Sequence, residues 1–312
     1  MPFASGDNAR IRTNTPSENA YNALGKSNMS ISKSQLKLST GKRINNASDD
    51  VAGYITSRAI QARNGALKSA LLTIGDALNV TNIIQDSLDN IDSLIRLIKD
   101  STAQAASGAL GTDERVALAK AAFRMAEQIQ TVVDSSVFGG YQLIGSDYKT
   151  NFFVGIDNHN SLLTISIDMT DDNPDYNVDS QAFNPNSLGG VNIFAGVTNL
   201  NLEDFNAVTK ENLGIFSAEN LGTTISSLAE ALNNVNKVAA YVGGIANRLF
   251  SQESLLKEQI VNYNAANSRI EDTDVAKEQL ELVKAQFLQQ ASLTSLSQSN
   301  QNPNAFLQLI RS

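Results

Sequence analysis

His159 is the only histidine in the chain, and cysteine and tryptophan are absent. One imidazole and no thiol leave no thiolate nucleophile, no thiolate zinc site and no two-histidine HExxH site. His159 lies among Asp157, Asn158 and Asn160, a turn composition rather than the setting of a general base. Gly25-Lys26-Ser27 looks like the end of a phosphate loop, but Ala20 stands where the first glycine belongs and no strand precedes it. Asp171, Asn173 and Asp175 have the alternate spacing of a calcium loop. Tyr176 takes the place of its sharp-turn glycine and no glutamate closes it, so a solvated acidic loop is expected. No cofactor, metal or enzymatic site is expected.

Composition bounds what remains. The chain has 312 residues, 42% hydrophobic and 18% charged, enough for more than one packed layer. A net charge of -8 and a pI near 4.8 argue against a nucleic-acid partner, because no basic patch displaces phosphate counterions. No apolar run reaches the roughly 18 residues that a membrane span needs. The first twenty residues, MPFASGDNARIRTNTPSENA, lack the apolar middle of a secretory signal. Export, if it occurs, is expected without a cleaved signal peptide.

The helical signals come in order. Thr15-Pro16-Ser17-Glu18 reads as a capping box opening a helix, with Thr15 as the N-cap. Leu24, Asn28, Ile31, Gln35 and Leu38 recur at steps of four and three up to Gly41, a thin seam that is unstable alone in water. Ser48-Asp49-Asp50 caps a much longer helix. Its seam is Leu67, Leu71, Ile74, Leu78, Thr81, Ile84, Leu88, Ile91, Ile95 and Ile98, with Thr81 the one polar member. Helix from about Asp50 to Ala106 would be roughly 85 Å long at about 1.5 Å per residue. Residues 107–111 break it, and Thr112-Asp113-Glu114 opens a shorter helix with Val116, Ala119, Phe123, Ala126 and Ile129 on one side.

Phe138-Gly139-Gly140-Tyr141 ends this helical half. Beyond it the short runs FFVGI, LLTISIDM and VNIFAGV alternate with Asn, Asp and Gly clusters, which predicts a few strands with turns. Helix should resume at Ser217, with the seam Ile225, Leu228, Leu232, Val235, Ala239, Val242, Ala246, Leu249, Glu253, Leu256, Ile260 and Tyr263. This seam is the natural antiparallel partner of the first long one. A polar break over 267–273 leads to a terminal arm over 273–310.

The expected fold is mainly α: a long antiparallel coiled-coil helical hairpin with paired terminal helical arms and a small β-rich insert. It divides into an N-terminal arm (1–45), the first half of the long-helix domain (46–145), a surface-exposed insert (146–216), the second half (217–268) and a C-terminal arm (269–312). That last arm carries two apolar stripes. One is Leu280, Val283, Phe287 and Ala291; the other is Leu282, Leu293 and Leu296, with Phe306, Leu307, Leu309 and Ile310 beyond Pro303. An ordinary surface helix buries one face. Pairing the two arms should leave the second stripe uncovered, a drive to associate with identical copies. Such a contact, repeated without closing, makes a helical filament. The candidate interface is Leu24, Ile31, Leu38, Leu280, Val283, Phe287, Leu293, Leu296, Phe306 and Leu309.

The stretches LSTGKRINNASDDVAG (38–53) and SRIEDTDVAKEQLELVKAQFLQQASLTSLSQSNQNPNAFLQLI (268–310), with Ile11-Arg12-Thr13-Asn14, closely resemble bacterial flagellin. The resemblance covers roughly 11–143 and 217–311 and omits the insert. It implies a subunit of the extracellular flagellar filament, exported unfolded by a type III apparatus, with the paired arms as an inner tube, the long helices as an outer tube and the insert at the surface. It implies as partners further copies of the chain, a flagellar export chaperone, cap and hook-associated proteins, and other flagellins sharing the filament. Where flagellins seen by an innate-immune receptor carry an arginine-rich segment, 94–99 keeps only Arg96. A hook-filament junction protein, or a secreted adhesin or signalling ligand acting as a monomer, are the alternatives.

Overall fold

A computed structural model describes residues 13–156, 162–170, 183, 193–198 and 200–311; for 156, 162, 193, 198 and 302–311 it describes the backbone alone. His159 with its neighbours, and Asp171, Asn173 and Asp175, lie outside the described residues. Among the described residues the α-helices are α1 (Thr15–Thr40), α2 (Val51–Ala105), α3 (Thr112–Ser135), a short α4 (Asp204–Ala207), α5 (Leu221–Glu271) and α6 (Val275–Arg311). They fall into two compact units, residues 1–64 with 261–312, and residues 65–260.

The ends of these helices follow local chemistry. The α1 cap is Asn14 rather than Thr15: its side-chain oxygen accepts from Ser17 N–H, and Pro16 follows inside the first turn. An amide side chain closes that turn as well as a hydroxyl does. Gly41 stops α1 at φ +71°, the left-handed conformation that favours glycine. Asp50 opens α2, its carboxylate accepting from Gly53 N–H at 3.0 Å. Asp49 faces the other way and accepts from the N–H groups of Asn45 and Asn46. Gly25-Lys26-Ser27 lies inside α1, where Ser27 Oγ donates to the Ala23 carbonyl. It is an ordinary helical turn.

In the larger unit the α2 seam is the core: Ile74, Thr81, Ile84, Leu88, Ile91, Ile95 and Ile98 are fully buried. Thr81 fits there because its hydroxyl donates to the Leu78 carbonyl at 2.9 Å, so burial leaves no orphaned donor. α5 brings Leu228, Val238, Val242 and Leu249 to the core, and α3 brings Ala119, Ala122, Ile129 and Val133. Gly243 lies against the side chain of Gln85, so the helices lie close at that level. Among the described residues the unit also has three two-stranded antiparallel sheets: β1 (Val137–Phe138) with β2 (Tyr141–Gln142), β3 (Lys149–Ile156) with β4 (Leu162–Asp168), and β5 (Ile193–Phe194) with β6 (Val197–Thr198). The β3–β4 register runs from Lys149 opposite Asp168 to Ile156 opposite Leu162, with an irregularity between Phe153 and Gly155.

Helix resumes at Leu221 rather than Ser217, because a 3-10 turn (Gly214–Phe216) comes first and Ser217 accepts from Leu221 N–H. That turn, α4 and the Phe138–Tyr141 hairpin are too short to show a period in the sequence. The described part of the insert holds two buried aromatic pairs. Phe205 and Phe216 meet edge to face at 5.6 Å, Phe183 and Phe194 at 6.5 Å, and all four are fully buried. Edge-to-face contact is the arrangement that ring quadrupoles favour.

The smaller unit holds α1, α6 and the facing ends of α2 and α5. The expected break over 267–273 shrinks to residues 272–274, since α5 runs on to Glu271. Here the α2–α5 seam is polar: Ser57 Oγ donates to Glu271, and Asn64 Nδ2 donates to Asn264. From the first pair to the second one number rises by seven as the other falls by seven, which is antiparallel register.

Candidate assembly interface

α1 and α6 lie antiparallel. Asn14 Nδ2 donates to the Ser299 carbonyl at 2.9 Å, Gln289 Nε2 to Asn28 Oδ1 at 2.6 Å, and Lys37 Nζ lies 3.3 Å from Glu278. The buried residues of α1 are Ala20, Ser27 and Ser34, one heptad apart. Small side chains at that repeat let the helices close up. Leu24, Ile31 and Leu38 flank this line and are half-buried. Spacing alone assigns the seam to the large residues; the small ones occupy it, because they allow the nearer approach.

α6 meets α1 through Leu282, Ala285 and Ser299, all buried, with Leu296 half-buried beside them. At about 100° per residue, Leu280, Val283 and Phe287 point the opposite way. They are 65%, 55% and 70% exposed. With Ala276 and the stems of Gln279 and Lys284 they line a shallow apolar concavity. The two stripes therefore exchange the roles expected from sequence: Leu282 and Leu296 turn to α1, and the Leu280 stripe is left uncovered. Leu293, at the margin of the α1-facing side, is about half exposed. α6 continues through Pro303 to Arg311; the side chains of Phe306 and Leu309 lie outside the described residues.

The turns between helices are held by charge. Glu271 is buried, and burial pushes its carboxyl up. Hydrogen bonds from Lys42, Asn267 and Ser57 outweigh that and hold it below the usual carboxylate range. Lys33, 2.8 Å away, does the same for Asp49, helped by the Asn46 and Asn45 amides against a smaller effect of burial. Periodicity of apolar residues gives no sign of this cluster, whose sequence signal is only a run of polar residues at each end.

No group of three or more metal-ligating acids, histidines or cysteines exists among the described residues. No helix among them is long and apolar enough to cross a membrane. What the geometry offers is a surface: one apolar helix face, opposite the face that its intramolecular partner uses.

The bacterial flagellin N-terminal helical region matches residues 11–148, and the bacterial flagellin C-terminal helical region matches 225–310. A flagellin of Halalkalibacterium halodurans is 29% identical over 302 residues, 96% of this chain and 99% of that one. A flagellin of Bacillus subtilis is 27% identical over 314 residues, 97% of this chain and 100% of that one. Flagellin D of Vibrio cholerae is 25% identical, covering 96% of this chain and 99% of its own. A solved chain described as a flagellar hook-associated protein, from Vibrio parahaemolyticus, superposes with a TM-score of 0.56 at 14% identity, over 72% of this chain and 100% of that one. That likeness speaks for the mainly helical fold. A chain matched at both ends by the two flagellin helical regions, and along nearly its whole length by flagellins of three genera, belongs to the bacterial flagellin family.

Proposed function

We propose that this flagellin, a structural subunit of the extracellular flagellar filament and not an enzyme, polymerises by burying the Leu280, Val283 and Phe287 face of α6 against neighbouring copies. Leu24, Ile31, Leu38, Leu293, Leu296, Phe306 and Leu309 are proposed to be covered with it. The observation that carries this reading is the exposure of three large apolar side chains on one helix face while α1 occupies the other. Each large side chain taken fully out of water contributes about 1.5 to 3 kcal/mol, and a repeated open contact makes a filament.

The test is Val283→Asp with Phe287→Asp in the full-length chain. Polymer formed on filament seeds should be lost by sedimentation and negative-stain microscopy, while helix content in far-UV circular dichroism stays that of the parent. Seeded polymer at the parental yield would overturn the interface. Phe287→Ser alone removes one such side chain and should raise the critical concentration about tenfold to a hundredfold.

Before assembly the same stripe is proposed to be covered by an export chaperone, and afterwards the chain is proposed to meet a cap, hook-associated proteins and other flagellins.

A further inference from the structure

The connection after α1 and the connection after α5 touch within the smaller unit. Arg43 N–H donates to the Glu271 carbonyl at 2.6 Å, and Thr273 N–H donates to the Gly41 carbonyl at 2.9 Å. Lys42 and Asp272 form an isolated antiparallel bridge. The Arg43 guanidinium donates to the Ile270 carbonyl at 2.8 Å. These bonds tie the root of α1 to the root of α6.

One carboxylate sits at this joint. Glu271 is 7% exposed. Its Oε1 accepts from Lys42 Nζ at 2.6 Å, and its Oε2 accepts from Ser57 Oγ at 3.1 Å, Gln61 Nε2 at 2.6 Å and Asn267 Nδ2 at 3.0 Å. Four donors converge on two oxygens. That arrangement suits an anion, because a protonated carboxyl has fewer lone pairs to offer and puts its own O–H among donors.

From this geometry we propose that Glu271 is an acid-released latch: as the carboxylate it fastens the connection after α1 to the end of α5, and on taking up a proton it lets that connection go. Lys42 then loses its counter-charge and the main-chain bonds at Arg43 and Thr273 lose the side chain beside them. The surroundings contribute little competing charge. On the α1 side Arg43 is engaged with Ile270 and lies 3.8 Å from Asp50. On α2 the contacts are the neutral Ser57 and Gln61, with Arg58 beyond, bonded to Gln61 Oε1 and stacked over Tyr54. On α5 the contact is Asn267, and Asp272 accepts from Ser268 at 2.5 Å. On α6 the first-turn acid, Glu278, is paired with Lys37. The carboxyl is held below its ordinary range, so the latch stays closed near neutrality and opens in acid.

The latch acts within one chain and is independent of assembly. The experiment is amide hydrogen exchange on the full-length protein, corrected for the intrinsic pH dependence, with protection at Arg43 and Thr273 read against amides of the larger unit. In the parent that ratio should fall severalfold, with about tenfold as the ceiling for one carboxyl, between about pH 5.5 and about pH 3.5. In Glu271→Gln, which has a neutral group of the same shape, it should already be low at pH 5.5 and flat across the range. Lys42→Met keeps the carboxylate without its cation and should move the parental midpoint to higher pH. Unchanged protection in the parent over this range, or a Glu271→Gln chain with the parental profile, overturns the proposal.

Discussion

Asn234 Nδ2 donates a 2.8 Å hydrogen bond to the carbonyl of Ala195, and both residues are buried. Ala195 has φ +48° in the turn between β5 and β6, and it is the only non-glycine residue with positive φ among those described. The turn is left-handed there, which costs an alanine about 1 kcal/mol or more. The amide from α5 reaches the backbone at the strained point. It clamps the hairpin to the long helix.

Removing the clamp exposes what it holds. Asn234→Ala should destabilise the chain by about 1 to 3 kcal/mol, because a buried carbonyl loses its donor. Asn234→Leu should cost at least as much, since added apolar volume does not restore the bond. Urea unfolding midpoints at constant slope check this; no change in Asn234→Ala would mean that the carbonyl finds another donor.

The close approach of α1 to α6 makes a second prediction. Ser27→Leu or Ser34→Leu, each placing a large side chain into a line of small buried ones, should part the helices at a cost of about 1 to 3 kcal/mol. Leu24→Ala, at the margin, should matter less to pairing. Amide exchange along α1 separates the two: faster exchange in Leu24→Ala than in Ser27→Leu would put the seam at the large residues.

Acid should weaken the larger unit through Asp168. Burial raises this carboxyl, but hydrogen bonds from the Lys149 ammonium and from Thr170 bring it below its ordinary value of 3.8. A lowered folded value means that the stabilisation is complete above the unfolded value and is lost as pH falls through the folded one. The loss therefore begins near pH 4 and grows below it. Asp168→Asn should be less stable than the parent near pH 6, with the gap closing towards about pH 3. A gap that widens in acid would contradict the sign.

What could be read in the sequence was what repeats locally. The long helix was expected from about Asp50 to Ala106 and occupies Val51–Ala105, because apolar residues at steps of three and four, a cap and a glycine break all act within a few residues of chain. Thr81 fitted that seam by satisfying its own hydroxyl. The polar continuation through Ser57, Gln61, Asn64 and Asn267 was not legible, since hydrophobic periodicity carries no signal for it. The Leu280, Val283 and Phe287 stripe was visible from spacing; which stripe meets α1 was not. That choice depends on Ala20, Ser27 and Ser34 across the pair, small residues whose effect appears only when two helices meet. The aromatic pairs of the insert, Phe183 with Phe194 and Phe205 with Phe216, each join positions eleven apart through irregular chain, beyond the reach of helical or strand periodicity.

The alanine and serines along α1 have one more effect. A thin ridge lets the terminal helix lie flat on its partner while Leu280, Val283 and Phe287 stay in water. On the proposed mode of assembly, a hydroxymethyl where a leucine would have fitted less closely keeps that oily side free for a like molecule.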